Sequence, residues 1–376
     1  MRLTARQLNR ATLDRQLLLH RASLTAEDGV RRVTALQAQE PASPYLALWN
    51  RLEAFDPADL HAAFERGAVV KATLMRITLH AVHADDYPPF QAAMLPSLRA
   101  SRLNDPRFKV GGRTTQDADD VLPHVLDFAA QPRTRPQVEA HLETRGETGS
   151  QQLWWAYRTF APLHHAPTRG PWSFGARSAY VAAPQTLPQA EREASAAHLA
   201  RRFLEGFGPA TPLDLVQFTM LTRPVARAAF AALGTDLVEH EGPNGEPVFD
   251  LAGATIPDQD VPAPPRLLPM WDLTLLAHAD RSRIIPPEHR AHLIRRNGDV
   301  LPALLVDGRV AGAWRPVDGG IEATAFERLS DGDWAGLEAE ARGLVAFLAG
   351  RDAEVYRRYG HWWGTLPAVE VRLLGG

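Results

Sequence analysis

The sequence contains no cysteine in its 376 residues. This absence excludes disulfides, thiolate catalysis, zinc fingers and iron–sulfur clusters. Lysine is also scarce, because only Lys71 and Lys109 occur. An enzyme that forms a Schiff base through an amine would have to use one of these lysines or the terminal amine.

Long apolar segments are missing as well. No run approaches 18 uncharged apolar residues, so the sequence predicts no transmembrane helix. The first residues lack the apolar segment of a secretory signal, and we therefore expect a cytoplasmic, nucleoid-associated protein. Glycine-rich phosphate loops and the G-x-S-x-G nucleophile motif are absent too, which argues against nucleotide-dependent and serine-hydrolase chemistry.

The net charge of −3 does not indicate a nucleic-acid-binding protein. Nearly all the positive charge, however, is carried by arginine, whose planar fork suits phosphates and guanine edges. Arginines also cluster locally, for example at positions 281, 283, 290, 295 and 296. Local charge rather than total charge therefore leaves DNA binding open.

A pattern of helices followed by a hairpin recurs along the chain. In its clearest copy Thr211 is placed to cap a helix, with Pro212 in the first turn and Asp214 three residues on. A break at residues 222–224 starts a second helix, and two strand-like segments flank residues 244–245, Asn-Gly. Helix, turn, helix and hairpin is the order of a winged helix-turn-helix.

Fainter copies precede this one and define the predicted domains. We predict an α+β protein with tandem winged helix-turn-helix domains at residues 1–115, 116–205 and 206–265. A proline-rich joint follows, and then a hairpin around Asp307-Gly308, an amphipathic helix and a closing strand. This last pattern predicts a C-terminal mixed β domain at residues 266–376.

Five segments between residues 8 and 314 resemble one known family: LNRATLDRQLLL, LQAQEPASPYLALWNRL, VVKATLMRITLHAV, FGPATPLDLVQF and LVDGRVAGAW. The sequence is similar to the AlkZ-like winged-helix DNA glycosylases, which act on interstrand crosslinks and N7-alkylpurines. The resemblance implies tandem winged helices in a C-shaped arrangement with a β domain. It also implies that the family's catalytic Gln-apolar-Gln motif falls on Gln37, Ala38 and Gln39. A related branch has Asp at the third position, so Gln39 indicates the crosslink-processing branch.

Amide side chains suit the chemistry of an alkylated purine. Alkylation of guanine at N7 makes the base cationic, and a cationic base leaves its sugar without a strong general acid. The remaining tasks are to orient a water and to stabilise an oxocarbenium-like sugar, which a carbonyl oxygen can do. A carboxylate would act more strongly. We therefore hypothesise that the amide restricts the enzyme to labile lesions.

The position of the motif also carries a structural expectation. Pro41 disfavours the α region for Glu40, which marks a helix end nearby. Residues i and i+2 diverge on a helix but share a face in an extended segment. We predict that Gln37 and Gln39 lie where a helix unwinds and that both amides reach one point.

Other interpretations of these residues remain open. The two glutamines can be solvated helix residues, and Glu40 can be the water activator instead. The segment containing His80, His83, Asp85 and Asp86 carries metal-ligand types, but histidines three apart on a strand point to opposite faces. We therefore predict no metal and no cofactor.

The predicted partner is double-stranded DNA with alkylated purines or crosslinks, bound by a monomer. The residues predicted to contact DNA are Arg76, His80, Lys71, Arg309 and Arg315. The hairpin that carries the last two either probes a groove or forms a sheet corner.

Three functions are compatible with the sequence. The first is a monofunctional DNA glycosylase that hydrolyses the N-glycosidic bond of N7-alkylated purines, including those in interstrand crosslinks, and leaves an abasic site. The second is a non-catalytic winged-helix transcriptional regulator, which would bind a specific sequence, usually as a dimer. The third is a protein-interaction scaffold. Salt-dependent DNA affinity separates the first two from the third.

Overall fold

The computed structural model of the protein describes residues 1–110, 112–147, 149–168, 170–175, 177–352 and 354–376. The chain contains both helices and antiparallel sheets, in agreement with the predicted α+β class. The α-helices are α1 (Ala5–Arg15), α2 (Ala26–Arg32), α3 (Ser43–Arg51), α4 (Pro57–Glu65), α5 (Tyr87–Leu103), α6 (Pro106–Lys109), α7 (Thr115–Phe128), α8 (Arg135–Thr144), α9 (Ser150–Phe160), α10 (Arg192–Phe207), α11 (Pro212–Thr219), α12 (Arg223–Ala231), α13 (Pro287–Leu293) and α14 (Asp331–Leu348).

The strands form three sheets in the part of the chain that the structure describes. They are β1 (Leu36–Gln37), β2 (Val69–Thr73), β3 (Leu79–His83), β4 (Arg133–Thr134), β5 (Leu163–Ala166), β6 (Ala179–Ala182), β7 (Leu237–Glu241), β8 (Pro247–Leu251), β9 (Arg266–Leu268), β10 (Ala303–Val306), β11 (Arg309–Val317), β12 (Gly320–Ala325) and β13 (Glu370–Leu374).

The first sheet has the strand order β1-β3-β2-β5-β6-β4, with every pair antiparallel. It takes strands from both sides of the predicted boundary at residue 115, because Lys71 of β2 pairs with His165 of β5. The hairpins of the first two predicted winged helices are therefore joined edge to edge in one sheet, which carries the two-residue strand β1 at one end.

The third predicted winged helix has the expected order of elements. Thr211 and Asp214 form a reciprocal capping box that starts α11. After α12, strands β7 and β8 pair as an antiparallel hairpin. This unit is tied to the N-terminal helix by a buried ion pair, in which Arg15 of α1 donates to Asp250 of β8 at 2.7 and 2.8 Å.

The C-terminal sheet has the order β13-β12-β11-β10-β9, and α14 packs on it. The turn between β10 and β11 is covered by α1, where the Asn9 amide donates to the Gly308 carbonyl at 2.8 Å. Gly308 has a φ of +75°, and a Cβ there would meet Leu13 at 2.4 Å. The turn is thus packed against α1 as a sheet corner, and a groove contact by the neighbouring Arg309 stays a prediction.

A buried ion pair joins this sheet to the N-terminal region. The guanidinium of Arg51, on α3, donates to both carboxylate oxygens of Asp272 at 2.9 Å. Both side chains are 1% exposed. Arg51 also donates to Gln16, the C-cap residue of α1, and to Thr274. The pair therefore fixes α1 and α3 against the segment that follows β9.

Candidate active site

The two motif glutamines lie at the edge of the first sheet that β1 forms. Helix α2 ends at Arg32, Thr34 has a φ of +75°, and the chain then enters β1. Gln37 pairs with His80 of β3, and the next backbone N–H, of Ala38, donates to the Leu79 carbonyl at 2.8 Å. The expectation of an unwinding helix was therefore wrong: the motif begins in strand β1, whose residues pair with β3.

The extended backbone brings the two glutamines together. The side-chain oxygen of Gln37, which is 5% exposed, accepts a hydrogen bond from the backbone N–H of Gln39 at 2.8 Å. The Gln39 side chain is exposed, and its oxygen lies 3.5 Å from the Leu79 nitrogen. Gln37 thus holds the backbone on which Gln39 presents its amide to solvent.

His80 is the buried neighbour of Gln37 in the sheet. Cross-strand partners share a face, so His80 and Gln37 point to the same side. The ring is fully buried, and Nδ1 lies 3.0 Å from the Thr78 carbonyl oxygen. Burial, with a smaller contribution from Arg76, lowers the pKa of His80 to about 3, which keeps the ring neutral. Because the His80 side chain has no exposed surface, it is not placed to contact DNA directly as predicted.

Lys71 lies on the other face of the sheet. Its neighbour Ala72 pairs with His80, and consecutive strand residues point to opposite sides. The ammonium group sits 4.4 Å from the centre of the Phe174 ring, and the residue is buried. Burial lowers the pKa of Lys71 to about 8. The structure therefore separates Lys71 from Gln37. Because Lys71 is buried, its side chain is not placed for the predicted direct DNA contact either.

Arg76 connects the loop between β2 and β3 to the third winged helix. It has a φ of +52° and donates to the Phe218 carbonyl, near the end of α11, at 2.9 Å. Burial, reinforced by Arg281, lowers the pKa of Arg76 to about 10, so the half-buried guanidinium stays charged at neutral pH. The contact with Phe218 is within the protein, and DNA binding by Arg76 stays a prediction.

The two predicted arginines of the C-terminal sheet are placed differently from each other. Arg309 is exposed beside the turn that packs on α1. Arg315 donates to Glu322 on the neighbouring strand at 2.8 Å and lies 5.3 Å from the Trp363 ring. Arg315 is thus held by contacts within the C-terminal domain, and neither arginine lies in the group formed by Gln37, Gln39 and His80.

Sequence reasoning missed a cluster beside Gln39. The Glu40 carboxylate accepts a hydrogen bond from the Tyr359 hydroxyl at 2.8 Å and forms an ion pair with Arg358. Tyr359 packs against Trp271 with ring centres 5.5 Å apart, and Trp271 has a strained φ of +56°. Since Glu40 is already ion-paired, this arrangement disfavours it as the water activator. The run RRYGHWW was the only sequence signal for this cluster.

Another missed feature is the exposed face of α12. Arg223 and Arg227 lie one turn apart on this second helix of the third winged helix, and both are exposed. In a helix-turn-helix the second helix is the one that enters the major groove. The signal was present in the order of elements, from which these two arginines could have been predicted to contact DNA.

Two kinds of site are not found in the described ranges. No group of three His, Asp or Glu side chains there is arranged to hold a metal ion. No helix among those residues is long and apolar enough to cross a membrane.

Comparison with known proteins agrees with this architecture. The interstrand DNA cross-link repair glycosylase of Streptomyces sahachiroi is 26% identical over 346 residues, which cover 87% of this chain and 91% of that protein. The solved structure of Streptomyces sahachiroi DNA glycosylase AlkZ superposes with a TM-score of 0.79 at 24% identity, covering 92% of this chain and 96% of that one. The family described as DNA glycosylase AlkZ-like matches residues 30–347, and the chain belongs to this AlkZ-like DNA glycosylase family.

Proposed function

We propose that this protein is a monofunctional DNA glycosylase that removes N7-alkylated purines, including those in interstrand crosslinks, and leaves an abasic site. The observation that carries the proposal is the arrangement of Gln37 and Gln39, in which one amide fixes the backbone and the other faces solvent. A direct test is base release from a duplex with a single N7-methylguanine.

In the proposed reaction the Gln39 carbonyl oxygen orients a water toward C1′ of the sugar. The C1′–N9 bond breaks, and its electron pair neutralises the cationic base as it leaves. The water oxygen bonds to C1′, and its proton passes to solvent. The partial negative charge of the amide oxygen stabilises the oxocarbenium-like sugar. Gln37 acts as a positioning residue, because it holds the Gln39 backbone N–H.

DNA engagement is assigned to the winged-helix units at residues 1–115, 116–205 and 206–265, in a C-shaped arrangement with the β domain. Most glycosylases flip the target nucleotide into a pocket. A crosslinked base is tethered to the other strand, so an open surface would suit it better. Arg76 and Arg309, together with exposed Arg223 and Arg227 of α12, are the proposed DNA contacts.

The proposed enzyme forms no Schiff base with DNA. The lowered pKa makes Lys71 a potential nucleophile near neutral pH, but the sheet turns it away from Gln37. We expect that borohydride added during turnover of an alkylated duplex traps no covalent protein–DNA adduct. An adduct that disappears in the Lys71→Arg variant would contradict the monofunctional assignment, and a bifunctional glycosylase run alongside verifies the trapping.

The Gln39→Asp variant tests whether the amide limits the enzyme to labile lesions. We expect it to release purines from undamaged DNA faster than wild type, because a carboxylate stabilises the cationic sugar more strongly. Purine release from an unmodified duplex measures this effect, and Gln39→Glu tests the dependence on side-chain length. Equal release by wild type and Gln39→Asp, with the variant still active on N7-methylguanine, would reject this account of selectivity.

A further inference from the structure

The last strand of the C-terminal sheet has an open edge. In the described part of the chain β13 pairs only with β12. The paired residues run from Leu374 opposite Ile321 to Glu370 opposite Ala325. The backbone groups of β13 that point away from β12 are therefore available to another strand, which is a recognised mode of association.

The outer face of this edge is apolar. Val369, Val371 and Leu373 alternate along the chain and are 55%, 50% and 58% exposed. Between them Glu370 and Arg372 point to the opposite side, where the Arg372 guanidinium donates to the Glu370 carboxylate at 2.7 and 2.9 Å and lies 4.5 Å from the ring of Trp334 on α14. The strand thus has one apolar side and one charged side.

The order of these residues is self-complementary. If two copies of β13 pair antiparallel about a two-fold axis at Val371, each Glu370, which accepts from Arg372 of its own strand, also faces Arg372 of the other copy. Val369 then faces Leu373, and Val371 faces its own equivalent. Shifting the register by two residues would place Glu370 opposite Glu370 or Arg372 opposite Arg372, which is unfavourable. One register therefore satisfies both the charges and the apolar face.

We propose that β13 is a dimerisation edge, through which two copies of this chain join their C-terminal sheets into one continuous sheet. The occupant is a second copy because a two-fold axis makes the same patch face itself, and the residues from Val369 to Leu373 are complementary in just that arrangement. The proposal replaces the monomer expected from the sequence, and it is independent of the proposed glycosylase activity.

A charge swap within one strand tests the register. The Arg372→Glu variant places glutamates opposite each other twice, and we expect the dimer dissociation constant to rise at least about tenfold. The Glu370→Arg/Arg372→Glu double variant restores opposite charges and should return the constant to within about threefold of wild type. Arg342→Glu on α14, whose side chain is 64% exposed, is the control for the same change in net charge.

Sedimentation velocity over a concentration series is the measurement, with circular dichroism to confirm that each variant is folded. A wild-type protein that stays monomeric at all concentrations would overturn the proposal. So would a dimer that Arg372→Glu leaves unchanged, or one that the double variant weakens as much as the single variant does.

Because the chain has no native cysteine, a cross-link gives an independent test. The Val371→Cys variant places one thiol of each copy at the two-fold axis, within the Cα separation that a disulfide requires. We expect it to oxidise to a covalent dimer much faster than Arg342→Cys does. Equal rates of cross-linking for the two variants would contradict the predicted pairing.

Discussion

Replacing Gln39 by alanine is expected to lower the rate of base release from an N7-methylguanine duplex by about 10²–10³-fold, the loss typical when one preorganised dipole at a developing charge is removed. The Gln39 amide is exposed at the end of the first sheet, where it can orient a water without first breaking a strong hydrogen bond within the protein. Single-turnover base release, measured with enzyme in excess, isolates the chemical step.

Gln37→Ala should also slow base release, since it removes the acceptor for the Gln39 N–H. DNA affinity should change little in either variant, because the proposed DNA contacts lie elsewhere. Gln151→Ala, at an exposed position on α9, is the matched control and should retain wild-type activity. If Gln39→Ala released the base at the wild-type rate, the assignment of Gln39 would be wrong.

Asp272→Asn is expected to lower the free energy of unfolding by about 3–5 kcal/mol, because it leaves the buried Arg51 cation without its partner. The two side chains are each 1% exposed and share two hydrogen bonds of 2.9 Å. Asparagine can still accept from the Thr274 N–H, as Asp272 does, so the change acts mainly through charge. Chemical denaturation followed by tryptophan fluorescence measures it.

Two comparisons make this prediction specific. Glu241→Gln removes a solvent-exposed ion pair with Arg2 and should change the free energy of unfolding by less than about 1 kcal/mol. The Arg51→Met/Asp272→Leu double variant should be less destabilised than Asp272→Asn, because no charge remains buried. A loss of stability in Asp272→Asn no larger than that in Glu241→Gln would contradict the role given to this pair.

Features encoded by neighbouring residues could be predicted from the sequence. The capping box of Thr211 and Asp214 starts α11, and the Asp307-Gly308 turn joins β10 and β11. The helix–turn–helix–hairpin order at residues 206–265 is likewise local. Each of these signals lies within a few residues, where capping and turn chemistry dominate.

Features that depend on distant residues could not be predicted in this way. Strand β1 has only two residues, and it exists because β3, more than 40 residues later, supplies its hydrogen bonds. Glu40 looked like a free carboxylate until Arg358 and Tyr359 were brought to it. Burial of His80 and Lys71 likewise depends on packing around the sheet, which local residue patterns do not specify.

The most direct test of the central claim is base release by wild-type protein from a duplex with one N7-methylguanine, followed by the same assay on a nitrogen-mustard crosslink. The account predicts release of the free base and unhooking of the crosslink, each leaving an abasic site and each slowed about 10²–10³-fold in Gln39→Ala. DNA binding without release from either substrate would contradict it and would favour the winged-helix regulator instead.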